Sequence, residues 1–307
     1  MSSGWAGSSR LVGRRCLVTG AGGFLGRRVV ARLVAAGAQV TAHVRAPAQS
    51  FAGAEVSAGD LTAPDWRESA RRVWRWDDVV HLAGPVSGAA GGFVSQAQTA
   101  RAHVQLALAV AGALPKDWSG RVVHASSMTV YGAAPSLPVQ ESQELLPRFP
   151  YALGKVLAED VWRAAARPDV WLLRLPGLFS AQRQSGALFH FVRAGLSGRP
   201  LHIQAPEPTL WDLLHVDDAA EAVARALASE RSFSGAMNVS YGEVVDLQRV
   251  ARRVIELTQP VELVNDTPLV HPPFQLDIRL ARDRLDWPPL TLDERLRQFV
   301  AELRSAI

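Results

Sequence analysis

Between the apolar run Arg14-Arg-Cys-Leu-Val18 and the helix-like RRVVARLVAAG stands Thr19-Gly-Ala-Gly-Gly-Phe-Leu-Gly26, with four glycines in eight residues. Glycine costs backbone entropy wherever the chain is ordered. Such a concentration is tolerated where the backbone must turn sharply and come close to something that leaves no room for a Cβ. Gly20, Gly23 and Gly26 follow the spacing G-x-x-G-x-x-G, after a strand pattern and before a helix pattern that starts near Phe24. A turn of this kind aims free backbone N–H groups and the positive end of a helix at an anion, and a pyrophosphate suits it. In this strand-to-helix context the spacing is a dinucleotide fingerprint. The alternative is a glycine-rich turn with no ligand.

The chain of 307 residues is long enough for one large domain or two intimately joined ones, and no linker interrupts it. Hydrophobic content of 48% with 20% charged residues belongs to a globular protein rather than a disordered one. No apolar run reaches the roughly 18 residues of a membrane span, and MSSGWAGSSRLVG lacks the apolar core of a secretory signal. A cytoplasmic protein without membrane partners is expected. Cys16 is the only cysteine, so no intrachain disulfide can form, and its apolar setting makes it a small buried hydrophobe. No metal site is expected.

The net charge of +4 raises the question of nucleic acid. Arginine is scattered along the chain and no run of five basic residues exists, so no nucleic-acid partner is expected. The densest spot, Arg71-Arg-Val-Trp-Arg-Trp76, reads as a helix end whose Arg stems lie over indoles.

Apolar strand patterns (CLVT, QVTAHV, AEVSA, DVVHLAG, RVVHASS, VWLLRLP) alternate with helical ones at 24–36, 63–75, 95–113 and 151–166. Strands apolar on both faces argue an α/β fold, a doubly wound parallel sheet of the Rossmann type whose carboxyl edge binds ligands. Past residue 176 the rhythm breaks into Pro- and Gly-containing stretches, which places a smaller substrate-binding portion at 177–210 and 240–307. Residues 14–176 form the dinucleotide-binding domain, 211–239 return to it, and 1–13 are a flexible terminus.

At the end of the second strand pattern, Val44-Arg45 stands where NAD-binding units place an acid for the ribose hydroxyls. Arginine binds a 2′-phosphate that a carboxylate would repel, so NADP(H) is preferred, with NAD(H) left open and a merely solvated Arg45 as the alternative. Asp60 in GDL caps a turn or touches adenine, and Leu61 lines the ring.

Tyr151 and Lys155 sit four apart at the start of a helix that Pro150 opens, and therefore share one face. A lysine cation beside a phenol favours the phenolate and lowers its pKa, making a usable acid and base. The only other lysine in the chain is Lys116. Upstream, RVVHASSMTVYG is a strand ending in Ser126-Ser127 at the ligand edge.

The set TGAGGFLG, GDL, HLAG, SSMTVYG, YALGK and LLHVDD resembles, in order and spacing, the extended short-chain dehydrogenase/reductase family of nucleotide-sugar epimerases, dehydratases and keto-sugar reductases. The resemblance implies that Ser127 holds the substrate oxygen, Tyr151 exchanges the proton, and Lys155 holds the nicotinamide ribose while tuning the tyrosine. It lays His81, Leu82, Ala83 and Gly84 along the cofactor, with Ser126 beside it. It also places His103 where many relatives have an asparagine of a proton relay; as a lone helix residue, His103 reads as structural. Dehydratase relatives have an Asp-Glu pair after the active-site hydroxyl, and Met128-Thr129 here argue against loss of water. Trp211 and Thr267 occupy the places of two arginines that commonly clamp the nucleotide diphosphate. Arg183, Arg193 or Arg199 could substitute, and Met128, Arg183 and Trp211 complete the substrate-side candidates with Ser127 and Tyr151.

The expected activity is an NADP(H)-dependent ketoreductase acting on a nucleotide-linked 4-keto-deoxysugar. An epimerase with retained NAD is the alternative, and a non-catalytic dinucleotide sensor, which would not need Ser127, Tyr151 and Lys155 together, is a remote one. The helices at 95–113 and 151–166 are more apolar than one buried face requires; the resemblance implies that they pair across a two-fold axis in a homodimer, the alternative being burial against the chain's own sheet.

Overall fold

A computed structural model describes residues 6–47, 49–85, 93–133, 136–165, 169–204, 210–243, 245–266, 273–287 and 290–306. The six strand patterns become β1 (Arg15–Thr19), β2 (Gln39–Val44), β3 (Glu55–Ala58), β4 (Asp78–His81), β5 (Arg121–Ser127) and β6 (Val170–Leu175). Between them run α1 (Phe24–Ala35), α2 (Pro64–Arg72), α3 (Phe93–Ala113) and α4 (Pro150–Ala164). The strands pair in parallel, in the order β6-β5-β4-β1-β2-β3. β1 and β4 are therefore neighbours at the point where strand order reverses, and the crevice above them is the ligand position of doubly wound sheets.

The sheet has two apolar faces because successive side chains alternate. Val18, Val123 and Leu173 belong to one core cluster and Leu17, Val122 and Leu172 to the other. Every residue of β4, β5 and β6 is buried, whereas the edge strand β3 is largely exposed. On one side α3 packs against α4, with Leu106, Val110 and Trp162 in the smaller cluster. Cys16 is fully buried, and burial beside Asp78 pushes its thiol up, so it is an inert core residue as expected.

The rest of the chain adds β7 (Gly177–Phe179), α5 (Ala187–Leu196), β8 (Leu201–Ile203), β9 (Leu213–His215), α6 (Val216–Ala228), β10 (Ser234–Asn238), α7 (Leu247–Leu257), β11 (Leu263–Asn265), α8 (Arg279–Leu285) and α9 (Leu292–Ser305). β10 joins the main sheet beside β6, and α6 packs against α1. β7 pairs with β9 and β8 with β11, each in parallel, so the later part of the chain is tied together by contacts distant in sequence.

Two local expectations are corrected. Within the terminus read as flexible, Ala6–Leu11 form a 3-10 helix that packs on α6, with Leu11 fully buried. At Arg71–Trp76 the arginines seek oxygen rather than indole: Arg71 bonds the Gly112 carbonyl, Arg72 pairs with Glu68, and Arg75 with Glu55. The indoles of Trp74, Trp76 and Trp118 contact one another edge-on instead. Among the described residues, no helix is long and apolar enough to cross a membrane.

Candidate active site

The glycine turn is built by two close approaches. Gly20, directly after β1, has φ 69°, and a Cβ there would lie 2.7–2.8 Å from backbone atoms of Leu82 and Ala83. A Cβ on Gly26 would collide with the Gly20 carbonyl. The turn therefore holds α1 tight against the carboxyl edge of the sheet. No side chain caps the first turn of α1 and no acid stands in it, which leaves its N–H groups and positive end open to an anion.

Above this edge lies a cavity of about 800 Å³. Gly20, Gly23, Phe24, Leu25, Gly26, Leu82 and Gly84 line the side formed by the glycine turn. Ser126, Ser127, Met128, Tyr151, Lys155, Arg183 and Trp211 line it further along. Gly20 and Gly84 are shared with a second cavity of about 290 Å³, where Arg45, Asp60, Leu61 and Ala83 lie. Apart from His81, which is fully buried, and two arginines, the candidate residues thus line one of two adjoining spaces. Arg193 and Arg199 line neither, and Arg193 instead lies over the Phe189 ring. Thr267 lies outside the described residues.

β5 ends at Ser127, whose hydroxyl caps a 3-10 helix (Met128–Tyr131) and accepts from the Thr129 N–H at 3.3 Å and the Thr129 hydroxyl at 3.0 Å. Ser126 points to the other face, toward α4, and donates to Glu159 at 2.5 Å. Arg174 holds the same carboxylate at 2.8 Å, so the end of β5 is anchored from behind by a buried ion pair. α4 brings Tyr151 and Lys155 to this edge. Lys155 is buried and donates to the Ala125 carbonyl at 2.7 Å. Burial pushes its pKa down to about 8 against the opposing pull of Glu159.

The phenol departs from expectation. Burial pushes the Tyr151 pKa up, while a hydrogen bond from Ser127 and the Arg183 charge pull it down. Lys155 spends its hydrogen bond on Ala125 and stands 5.9 Å from the centre of the Tyr151 ring. A weakened cation at that distance does not outweigh desolvation.

Arg183 is exposed at the cavity wall, donates to the Leu178 carbonyl at 3.0 Å, and lies over the Phe24 ring. Asp60 accepts from the Thr62 N–H at 2.9 Å and its hydroxyl at 2.7 Å, the turn-capping role, while also lining the second cavity. Arg45 is exposed there, without a hydrogen bond or ion pair to it among the described residues.

Sequence reasoning missed several neighbours. His103, read as structural, lines the main cavity, and Phe149, Leu178, Gln182 and Gln184 join it. The His103 Nε2–H donates to the Pro85 carbonyl at 3.0 Å, which leaves Nδ1, buried and unpartnered, as the acceptor. His43 lines the second cavity, and its buried Nε2 is also without a partner. Strand spacing from Arg45 is the signal that could have found His43, whereas His103 on α3 reaches the cavity only because α3 packs against α4, and the resemblance alone points to it. The close glycine cradle and the open helix end fit a dinucleotide lying across both cavities.

The family model "NAD dependent epimerase/dehydratase family" matches residues 16–240. A dTDP-6-deoxy-L-talose 4-dehydrogenase (NAD(P)(+)) of Kitasatospora kifunensis is 31% identical over 317 aligned positions, covering 95% of each chain. A UDP-glucose 4-epimerase of Azospirillum brasilense is 27% identical, over 90% of this chain and 87% of its own. Among solved structures, MoeE5 in complex with UDP-glucuronic acid and NAD superposes with a TM-score of 0.79 at 27% identity, covering 95% of this chain and all of that one (100%).

Proposed function

The chain belongs to the NAD dependent epimerase/dehydratase family, and we propose that within it the protein is an NADP(H)-dependent ketoreductase acting on a nucleotide-linked keto-deoxysugar. The observation that carries the cofactor half of this reading is Arg45. It lines the second cavity directly after β2, with Val44 rather than an acid ending the strand and no ion pair to Arg45 among the described residues. A guanidinium so placed suits a 2′-phosphate. The relative active on a dTDP-6-deoxysugar supports the substrate half.

Bound between the glycine turn and Lys155, the dinucleotide would supply or accept the hydride. The residues of this chain do the rest. Ser127 donates to the carbonyl oxygen and fixes its position. Tyr151, kept protonated by burial, gives its proton to that oxygen as negative charge develops there. Lys155, braced by the Ala125 carbonyl, offers its remaining N–H donors to ribose hydroxyls and its charge to the phenolate that Tyr151 leaves. Phe149, Met128 and Trp211 narrow the substrate side and exclude water. Arg183 is the cation on that wall for a substrate phosphate.

The alternative is an epimerase that oxidises and re-reduces one carbon with a retained NAD, in line with the Azospirillum relative. Incubation with dTDP- or GDP-linked 4-keto-6-deoxysugars separates the two. Stoichiometric consumption of NADPH supports the reductase, and interconversion of epimers with no net redox change replaces it with the epimerase. Leu108 on α3 and Leu153 and Leu157 on α4 are 42–54% exposed on adjacent helices, and this apolar face supports a homodimer as part of the same reading.

A further inference from the structure

Three imidazoles stand in one row across the sheet. Thr19 of β1 pairs in register with His43 of β2 on one side and His81 of β4 on the other, and His81 pairs with His124 of β5. Register partners in a parallel sheet point to the same face. His81 and His124 lie against α4, where the Trp162 ring is 5.4 Å from the first and 6.3 Å from the second. Lys155 stands two turns earlier on that helix, and its charge weighs against protonation of both rings and of His103 on α3. Burial keeps all three imidazoles neutral, and it raises Tyr151, so none of them offers the ammonium a counter-charge at neutral pH. A buried cation among neutral groups is costly. The charge that pulls against burial at Lys155 is that of Glu159, one turn further along α4 and fully buried.

Glu159 is held from three elements. Ser126 of β5 donates to its Oε1 at 2.5 Å, Arg174 of β6 to Oε1 at 3.1 Å and Oε2 at 2.8 Å, and Arg163, a further turn along α4, to Oε2 at 2.7 Å. Burial raises the carboxyl, but the Arg174 hydrogen bond and charge outweigh it and hold Glu159 below its ordinary value, as an anion. Consecutive residues of β5 are thus gripped by consecutive turns of α4, Ala125 by Lys155 and Ser126 by Glu159. The two arginines differ in setting. Arg174 is buried and also donates to the Tyr131 hydroxyl and the Glu141 carbonyl, whereas the Arg163 side chain is 41% exposed and is shared with Asp160. Packing alone does not require a buried ion pair, since apolar groups of similar volume serve as well or better.

We propose that Glu159 is a positioning residue that acts through Lys155, holding the ammonium in its charged form at the carboxyl edge of the sheet, and that Arg163 moderates this hold from the solvent side. Its consequence for catalysis rests on the reductase reading above, in which the cation serves the ribose and the phenolate left by Tyr151.

The chain has two lysines, Lys155 and the exposed Lys116. Isotope-labelled lysine therefore gives two side-chain NMR signals, assigned with a Lys116→Arg variant, and their titration reads the Lys155 ammonium without any substrate. The wild-type midpoint is expected at about 8. Glu159→Gln, which keeps an amide oxygen for Ser126 and Arg174 but removes the charge, should lower it by about half a pH unit or more. Arg163→Gln should raise it by roughly 0.3 unit, a small effect because solvent screens the guanidinium, and this variant serves if the first fails to fold. A purely structural Glu159 predicts the opposite sign, since loosened packing would hydrate Lys155 and move its midpoint up toward the ordinary 10.5. A midpoint that rises or stays in place in Glu159→Gln, or stays in place in Arg163→Gln when the first variant does not fold, overturns the proposal. A fall in the first with no change in the second overturns the part given to Arg163. The alkaline limb of kcat/KM for ketone reduction should move with the NMR midpoint. Midpoints that move as expected in a protein that reduces no ketone overturn the reductase reading and leave the hold of Glu159 on Lys155 standing.

Discussion

The imidazole of His103 stands edge-on to the phenol of Tyr151, with ring centroids 5.3 Å apart and the planes at 76°. Burial and the Lys155 charge push the His103 pKa down to about 3, so this ring stays neutral wherever the enzyme works. On the proposed mechanism its contribution is to hold the phenol in place, itself held by Pro85. His103→Phe retains the ring contact and is expected to keep turnover within about threefold, whereas His103→Ala should lose about tenfold in kcat through misplacement of Tyr151. The alanine variant should also lose roughly 2–4 kcal/mol of stability, as other deletions of large buried side chains do. Neither should move the pH profile. A phenylalanine variant as poor as alanine, or a displaced pH limb, would assign His103 a proton-carrying role instead.

On the proposed mechanism, Lys155 and Tyr151 set that profile. The parameter kcat/KM reports ionisations of the free enzyme. With Lys155 at about 8, kcat/KM for ketone reduction should decline above about pH 8 as the cation is lost. Tyr151 lies above its ordinary value and remains an acid throughout this range. Lys155→Arg keeps a charge at every accessible pH and should abolish the limb, at whatever reduced rate the bulkier group permits. Tyr151→Phe should reduce turnover at least about a hundredfold with dinucleotide affinity nearly intact. A limb that persists near pH 8 in the arginine variant would exclude Lys155 as its source.

The buried histidines predict how the fold responds to acid. Burial lowers the pKa of His43 to about 4, of His81 to about 3 and of His215 to about 4, and takes His124 well below its ordinary 6.5. Below about pH 6.5 the unfolded chain takes up protons that the native state refuses, so their stabilisation is complete above that pH and is lost as pH falls toward 4. Each contributes a slope of up to about 1.4 kcal/mol per pH unit in that window. Comparing urea midpoints at about pH 7 and about pH 5, His81→Leu and His124→Leu should each flatten the dependence by close to one proton. Slopes identical to wild type would mean that these rings already titrate in the native protein.

The same row marks the limit of what the chain discloses in one dimension. Alternating apolar strands and helices announce the parallel sheet because burial on both faces demands uninterrupted apolar residues, and the glycine spacing announces the turn because backbone contact excludes side chains. His43, His81 and His124 each sit inside such an apolar run, and only sheet register brings them side by side. The small β7–β9 and β8–β11 pairs were equally hidden, since three-residue strands have too little periodicity to read. Tyr151 and Lys155 share a helix face as their spacing requires, yet the phenol shifts opposite to the expectation because desolvation depends on what covers it.

Arg45 decides between the two enzyme readings. A 2′-phosphate bears close to two negative charges, and a guanidinium can meet it with two parallel charge-assisted hydrogen bonds, each contributing about 1.5–3 kcal/mol when partly shielded. Arg45 is exposed, so solvent screening brings the net effect to the lower end of that range or below. Preference for NADPH over NADH of about tenfold or more should remain. Asp60 stands nearby, but its carboxylate is engaged with Thr62, and it therefore competes weakly for the guanidinium. Arg45→Asp should reverse the order, since the new carboxylate accepts hydrogen bonds from the free ribose hydroxyls of NADH and repels the phosphate of NADPH. Titration of both nucleotides into wild type and variant, read through tryptophan quenching, measures the two ratios directly. Tighter NADH binding by the wild type would remove the charge argument for a cofactor released at each turnover, and with it the case for the reductase over the epimerase.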